Sequence, residues 1–259
     1  MKHTIRALGW LIYVLWLVII VFTATALYSA LQLRVDFGEP QTNTSVGTIT
    51  MSQPFSIENN GFYDIYNLNL TTIIQERNGT PVSKASTVVR LLPSGRRINS
   101  AHNVSISLNG MSSAALSHLL FNGTEFNIEM NLALRYADVV PFRVSTNYTM
   151  PWGAPLYNIT IRDITVNPYS ATSVKVTLPF SFENNSFFDL NGTIRTEIIN
   201  TLNQRVSTAT ALINAPPQSG YSTNLEFLVP VGSASSLKEV HIYFNTSVLS
   251  YGPVVIPLV

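Results

Sequence analysis

A twelve-residue stretch that occurs twice constrains this chain more than anything else in it. Pro54-Phe55-Ser56-Ile57-Glu58-Asn59-Asn60-Gly61-Phe62-Tyr63-Asp64-Ile65 returns as Pro179-Phe180-Ser181-Phe182-Glu183-Asn184-Asn185-Ser186-Phe187-Phe188-Asp189-Leu190, with eight of the twelve positions identical. A match this dense marks an internal duplication, and a period of about 125 residues is domain-sized, far longer than a solenoid repeat. In each copy aromatic or β-branched residues alternate with serine, the pattern of a half-buried strand. Glu-Asn-Asn-Gly or Glu-Asn-Asn-Ser then stops the strand, because Asn and Gly tolerate positive φ. The repeated turn residues Glu58, Asn59, Asn60 and Asp64, and Glu183, Asn184, Asn185 and Asp189, are expected to be structural, with Asp64 and Asp189 accepting backbone N–H bonds in the turn.

The register runs on beyond the motif. With Tyr66 treated as a one-residue insertion, Val82-Ser83 falls on Val206-Ser207 and Ala85 on Ala209. Near the ends of the copies, Leu134-x-Tyr136 is matched to Leu249-x-Tyr251.

From Ala7 to Leu33 the chain carries no charge, about 27 residues where a bilayer needs roughly 20. Lys2, His3 and Arg6 precede this run, which places the N-terminus inside and the rest outside. A cleavable signal peptide is the rival reading. Its apolar core is usually shorter, about 7–15 residues, but Ala24-Thr25-Ala26 and Tyr28-Ser29-Ala30 offer small residues where a peptidase would cut.

Beyond the apolar run, short β-like stretches separated by Asn-Gly, Pro-Ser-Gly and Pro-Pro turns fill both copies. Residues 33–37 read as a first strand, residues 36–48 as a polar connector, and residues 111–120 as the one short helix. The fold class expected is all-β: two tandem antiparallel β-sandwiches of the Ig/FnIII-like kind after one N-terminal transmembrane helix. The domains are residues 1–33 (helix, a signal anchor), 34–150 (first sandwich), 151–155 (linker, Pro151-Trp152-Gly153-Ala154-Pro155) and 156–259 (second sandwich).

Composition narrows the function. A net charge of +1 with 11% charged residues lacks the basic stripe that nucleic acid requires. With no cysteine there are no disulfides, thiolate nucleophiles or thiolate metal sites. His102, His118 and His241 are scattered without ligand spacing, and no motif calls for a cofactor, a metal or a catalytic residue. The strongest chemical signal is asparagine: N-x-[ST] sequons at Asn43, Asn69, Asn78, Asn103, Asn122, Asn147, Asn158, Asn184, Asn191 and Asn245 are glycosylation candidates on an external surface.

The stretches Phe55–Asn60, Asn78-Gly79-Thr80-Pro81-Val82-Ser83 and Leu92-Pro93-Ser94-Gly95, echoed by Phe180–Asn185 and Val206-Ser207, resemble the WHy (water stress and hypersensitive response) domain shared with type-2 late-embryogenesis-abundant proteins. The resemblance covers both copies. Asn-Asn stands where that family has Asn-Pro, and Pro216-Pro217 replaces the second Pro-Ser-Gly. It implies a seven-stranded-type sandwich, often membrane-tethered and without catalytic residues. The composition is also similar to that of archaeal surface proteins. The resulting expectation is a non-enzymatic, membrane-anchored, glycosylated structural or interaction protein. It would be held in the membrane by residues 7–33, with envelope proteins or glycans as partners. Two alternatives stand beside it: a secreted filament subunit that assembles by adding a freed strand near residues 33–37 to a neighbour, and a glycan- or lipid-binding accessory domain.

Overall fold

The computed structural model describes residues 2–258, with side chains from Trp10 onward. The side chains of Lys2, His3 and Arg6, on which the inside assignment rests, lie outside the described residues, as does Val259. Helix α1 (Lys2–Leu31) has a mean hydropathy of 2.4 over Trp10–Leu31. At 1.5 Å per residue those 22 residues span about 33 Å, long and apolar enough to cross a bilayer core of about 30 Å.

Two β-sandwiches follow. In the first, β1 (Leu33–Phe37) and β2 (Gln41–Ser45) lie along one edge of β3 (Thr48–Asn59), and β6 (Arg96–Ser107) along the other. The facing sheet runs β5 (Pro81–Leu92), β4 (Ile65–Glu76), β7 (Thr124–Tyr136), β8 (Val140–Trp152). The second sandwich repeats this order. One sheet has β9 (Tyr157–Ile161) and β10 (Thr165–Pro168) against β11 (Ser173–Asn184), with β14 (Ser219–Pro230) beyond. The other runs β13 (Arg205–Ala215), β12 (Leu190–Asn200), β15 (Leu237–Thr246), β16 (Ser250–Pro257). All pairings are antiparallel. The all-β tandem architecture expected from the repeat is the one observed.

The repeated motif also explains why each edge strand is broken. Pro54 and Pro179 sit in β3 and β11 with their carbonyls facing the edge, where Pro54 O accepts from Gly38 N at 2.9 Å and Pro179 O from Arg162 N at 3.0 Å. Amide and carbonyl of one residue point to the same side of an antiparallel ladder. The N–H that proline lacks would therefore have faced the same edge strand, and pairing lapses there. Residues 36–48 are thus no mere connector: β2 lies within them.

Tyr66 does mark an insertion. The β4 ladder shifts register between Tyr66 and Asn69, with Asn67 at φ 51, and beyond it Leu70 and Ile194 occupy the same place in their sheets. The match of Leu134–Tyr136 to Leu249–Tyr251 does not hold. The first ends β7, whereas the second opens β16, one strand later in the order.

Each sandwich has its own apolar core, and a third cluster joins them. Helix α2 (Ser113–Phe121), capped by the Ser112 hydroxyl accepting from Ala115 N at 3.3 Å, closes the far end of the first sandwich. Leu119, Leu120, Phe126 and Trp152 from that end pack with Phe188, Val248 and Leu249 of the second. Within the segment read as a linker, Trp152 is buried in this shared core and Ala154 is buried, and Leu156 just beyond it belongs to the core of the second sandwich.

Candidate functional site

The repeated turn is where each copy receives the element that precedes it. Asn59 and Asn184 are fully buried at its centre. Asn59 Nδ2 donates to Tyr63 O (2.9 Å) and Leu92 O (3.1 Å), while its Oδ1 accepts from Gly61 N (3.2 Å). Asn184 Nδ2 donates to Phe188 O, Ala215 O and Pro216 O at 2.9–3.0 Å, and its Oδ1 accepts from Ser186 N. One amide thus ties the turn to the end of the neighbouring hairpin, and a buried amide with all its bonds made is stable where an unpaired one is not. The Pro-Ser-Gly loop converges on the same spot: Ser94 N donates to Asp64 Oδ1 at 2.8 Å and Gly95 N to Asn59 O at 2.7 Å.

In the first copy the turn receives the last turns of α1. Ser29 is fully buried, and its Oγ accepts from Phe62 N at 3.0 Å. Thr25 Oγ1 meets Tyr63 Oη at 2.8 Å. Phe22 packs edge-on to Tyr63, and Tyr28 stacks on Phe62 with centroids 5.5 Å apart. In the second copy the turn receives the end of β8. Asn185 N donates to Ala154 O at 3.0 Å, Phe187 and Phe188 pack on Trp152, and Trp152 Nε1 donates to Leu119 O at 2.8 Å.

Where the turn meets the element before it, each joint packs one serine hydroxyl, supplied from opposite sides. In the first, Ser29 faces Gly61, where a Cβ would collide with the Ser29 side chain. In the second, Gly153 takes the place of Ser29 and a Cβ there would collide with the Asn185 carbonyl. The hydroxyl comes instead from Ser186, the counterpart of Gly61. Ser186 Oγ donates to Asn184 Oδ1 at 2.6 Å. Gly61 is therefore a glycine because of a close approach, not because of its φ. Gly61→Ser is expected to overpack this joint at a cost of about 1–3 kcal/mol, and Ser29→Gly in the same chain to recover most of it. Thermal unfolding of the single and double variants is the check.

The remaining candidate residues do not converge. Glu183 accepts from Asn158 Nδ2 at 3.3 Å, and among the described residues no group of three His, Asp or Glu is placed to hold a metal. Of the sequon asparagines, Asn43, Asn78, Asn103, Asn122, Asn147, Asn158, Asn191 and Asn245 are exposed and Asn69 is half-buried. Asn184 is closed in the folded chain, its amide nitrogen committed to three carbonyls. An open cleft between α2 and the second sandwich is lined by Met111, Leu116, Tyr251 and Tyr243, with the Arg195 guanidinium 4.3 Å from the Tyr243 ring centre. Arg195 is held there by Glu197 at 2.8 Å.

Among the described residues, His102 is the one histidine built into a core. It bridges the two sheets of the first sandwich, Nδ1 to Thr87 Oγ1 and Nε2 to Thr72 Oγ1, each at 2.9 Å. Burial pushes its pKa below the ordinary value. The unfolded chain therefore takes up a proton that the folded one refuses. This stability is fully present above about pH 6.5, the ordinary histidine value, and is lost as pH falls below it. Melting temperatures measured from pH 7.5 down to 5 are expected to fall more steeply in the native chain than in His102→Gln.

No known protein family matches the chain. No curated protein is similar to it in sequence. Among solved structures it is similar to a transglutaminase from red sea bream (12% identity, 87% of this chain, 31% of that one, TM-score 0.29). It is also similar to a β-glucuronidase of glycoside hydrolase family 2 (12% identity, 83% and 24%, TM-score 0.32). A third is a family 2 glycosyl hydrolase from Bacteroides cellulosilyticus DSM 14838 (13% identity, 83% and 29%, TM-score 0.28). The chain spans about a quarter to a third of the length of these proteins.

Proposed function

We propose that this chain is a non-enzymatic, membrane-anchored surface protein whose two sandwiches form one stiff unit outside the membrane, set on an uncleaved helix. The observation that carries the reading is the first joint. Ser29, Thr25 and Phe22 belong to the apolar helix yet complete the end of the first sandwich. Cutting after Ala26 would remove Phe22 and Thr25, and cutting after Ala30 would remove Ser29 as well and leave the Phe62 amide without its acceptor. The same socket sets the second sandwich on the first, so stiffness at one joint argues for stiffness at the other. The filament alternative needs a free strand near residue 35, but all five residues of β1 are paired with β3.

Orientation follows from the basic residues before the helix, and the exposed sequon asparagines suit a glycosylated exterior. On this reading sugars fall on the exposed sequons and never on Asn184. Because the chain has no cysteine, single labels are clean. Leu202→Cys, at an exposed turn, is expected to react with a membrane-impermeant maleimide on intact cells, and Lys2→Cys only after lysis. The reverse pattern, or a protein that does not sediment with membranes, contradicts the reading.

A further inference from the structure

The first sandwich is left open where the second is filled. Between its sheets, on the side where β1 and β8 face each other, lies a slot of about 160 Å³. Its walls come from both sheets, with Ile57 and Leu68 deep inside, Leu132 half-buried, and Phe37 and Val144 at the exposed mouth. The Thr146 hydroxyl is the single polar side-chain group on the lining. The duplicate shows how this chain closes such a space. By ladder register Ile57 corresponds to Phe182, Leu132 to Phe244 and Ile98 to Tyr221. In the second sandwich those three rings pack on one another at centroid distances of 5.1 and 6.3 Å. Three aliphatic residues in the first copy stand where three rings fill the second, although an unfilled core costs stability.

We propose that the slot binds the alkyl tail of a membrane lipid. The lining decides the chemistry. A sugar, a headgroup or a peptide backbone would lose its hydrogen bonds there, whereas an alkyl segment has none to lose. An apolar cavity of about 150 Å³ stays dry and accepts benzene, so this slot holds a segment of about six carbons. The position decides the source. One residue, Gln32, separates α1 from β1, and Phe37 lies at most about 20 Å of extended chain from Leu31. If α1 spans the bilayer, the nearest alkyl chains are those of its own leaflet. The inference rests on the anchor reading above to that extent.

The test uses the full chain in phosphatidylcholine nanodiscs containing a phosphatidylcholine with a diazirine on one tail. After irradiation, adducts are mapped by peptide mass spectrometry. Adducts are expected on Trp10–Leu31, which reports the helix in the bilayer, and separately on the slot strands β1, β4, β7 and β8. The variant Ile57→Phe/Leu132→Phe, filled as the second copy is filled, is expected to lose the slot adducts at least tenfold and keep those on the helix. Leu132→Phe alone serves if the double variant does not fold. Adducts confined to the helix, or slot adducts unchanged by filling, overturn the proposal. Slot adducts without helix adducts support the site and contradict the anchor instead.

Discussion

Trp152→Ala is expected to be the most damaging single substitution in the chain, at about 3–5 kcal/mol. Trp152 is buried where the two sandwiches meet, packed by Phe126 from one side and by Phe187 and Phe188 from the other. Truncating it opens a large cavity in the shared core and leaves the Leu119 carbonyl, which its indole N–H serves, without a partner. The loss falls on both modules at once, so its signature is a change in cooperativity. The native chain is expected to unfold its two sandwiches in one transition by circular dichroism in denaturant, and Trp152→Ala in two. A single transition merely shifted in midpoint would mean that the joint carries little coupling.

The second large effect is expected at the buried asparagines. Asn184→Ala takes the amide donor from Ala215 O and the acceptor from Ser186 N at a buried site, while Phe188 O and Pro216 O keep the Ser186 and Ser219 hydroxyls, for about 3 kcal/mol. Asn184→Asp is expected to be worse, because it turns a carboxylate oxygen toward carbonyls that need a donor. Asn59→Ala is expected to cost about as much as Asn184→Ala, because Tyr63 O and Leu92 O lose the amide donor. Chemical denaturation of the three variants checks the order. If Asn184→Asp equals Asn184→Ala, the side chain does not make the bonds described.

Much of this architecture is legible in the residues. The duplication, the alternation in Ile65–Glu76 and Leu190–Asn200, and the turn after Asn59 follow from local chemistry that the fold does not override. What escapes sequence reasoning is instructive. β2, Gln41-Thr42-Asn43-Thr44-Ser45, has no apolar alternation because it is an edge strand exposed on most of its positions, so nothing demands apolar side chains. The missing N–H of Pro54 was the available signal that an edge strand breaks beside it. The meaning of the repeated turn is hidden for a different reason. Its partners, Ser29 and Gly153, lie outside the twelve repeated residues, and their reciprocity with Gly61 and Ser186 appears only when the joints are superimposed. At Asn184 the sequon coincides with a buried structural Asn followed two residues later by a structural Ser, which the three-residue motif does not distinguish from an exposed one.

In the mature protein the last turns of α1 are expected to stay with the first sandwich. The direct measurement is the N-terminal sequence and intact mass of the protein taken from its native membranes. A mature chain that keeps residues 22–30 is the predicted result, because Phe22, Thr25 and Ser29 are parts of the joint. A mature chain that begins at Leu27, without Phe22 and Thr25, or at Leu31, which also lacks the Ser29 hydroxyl that the socket at Gly61 receives, would contradict it.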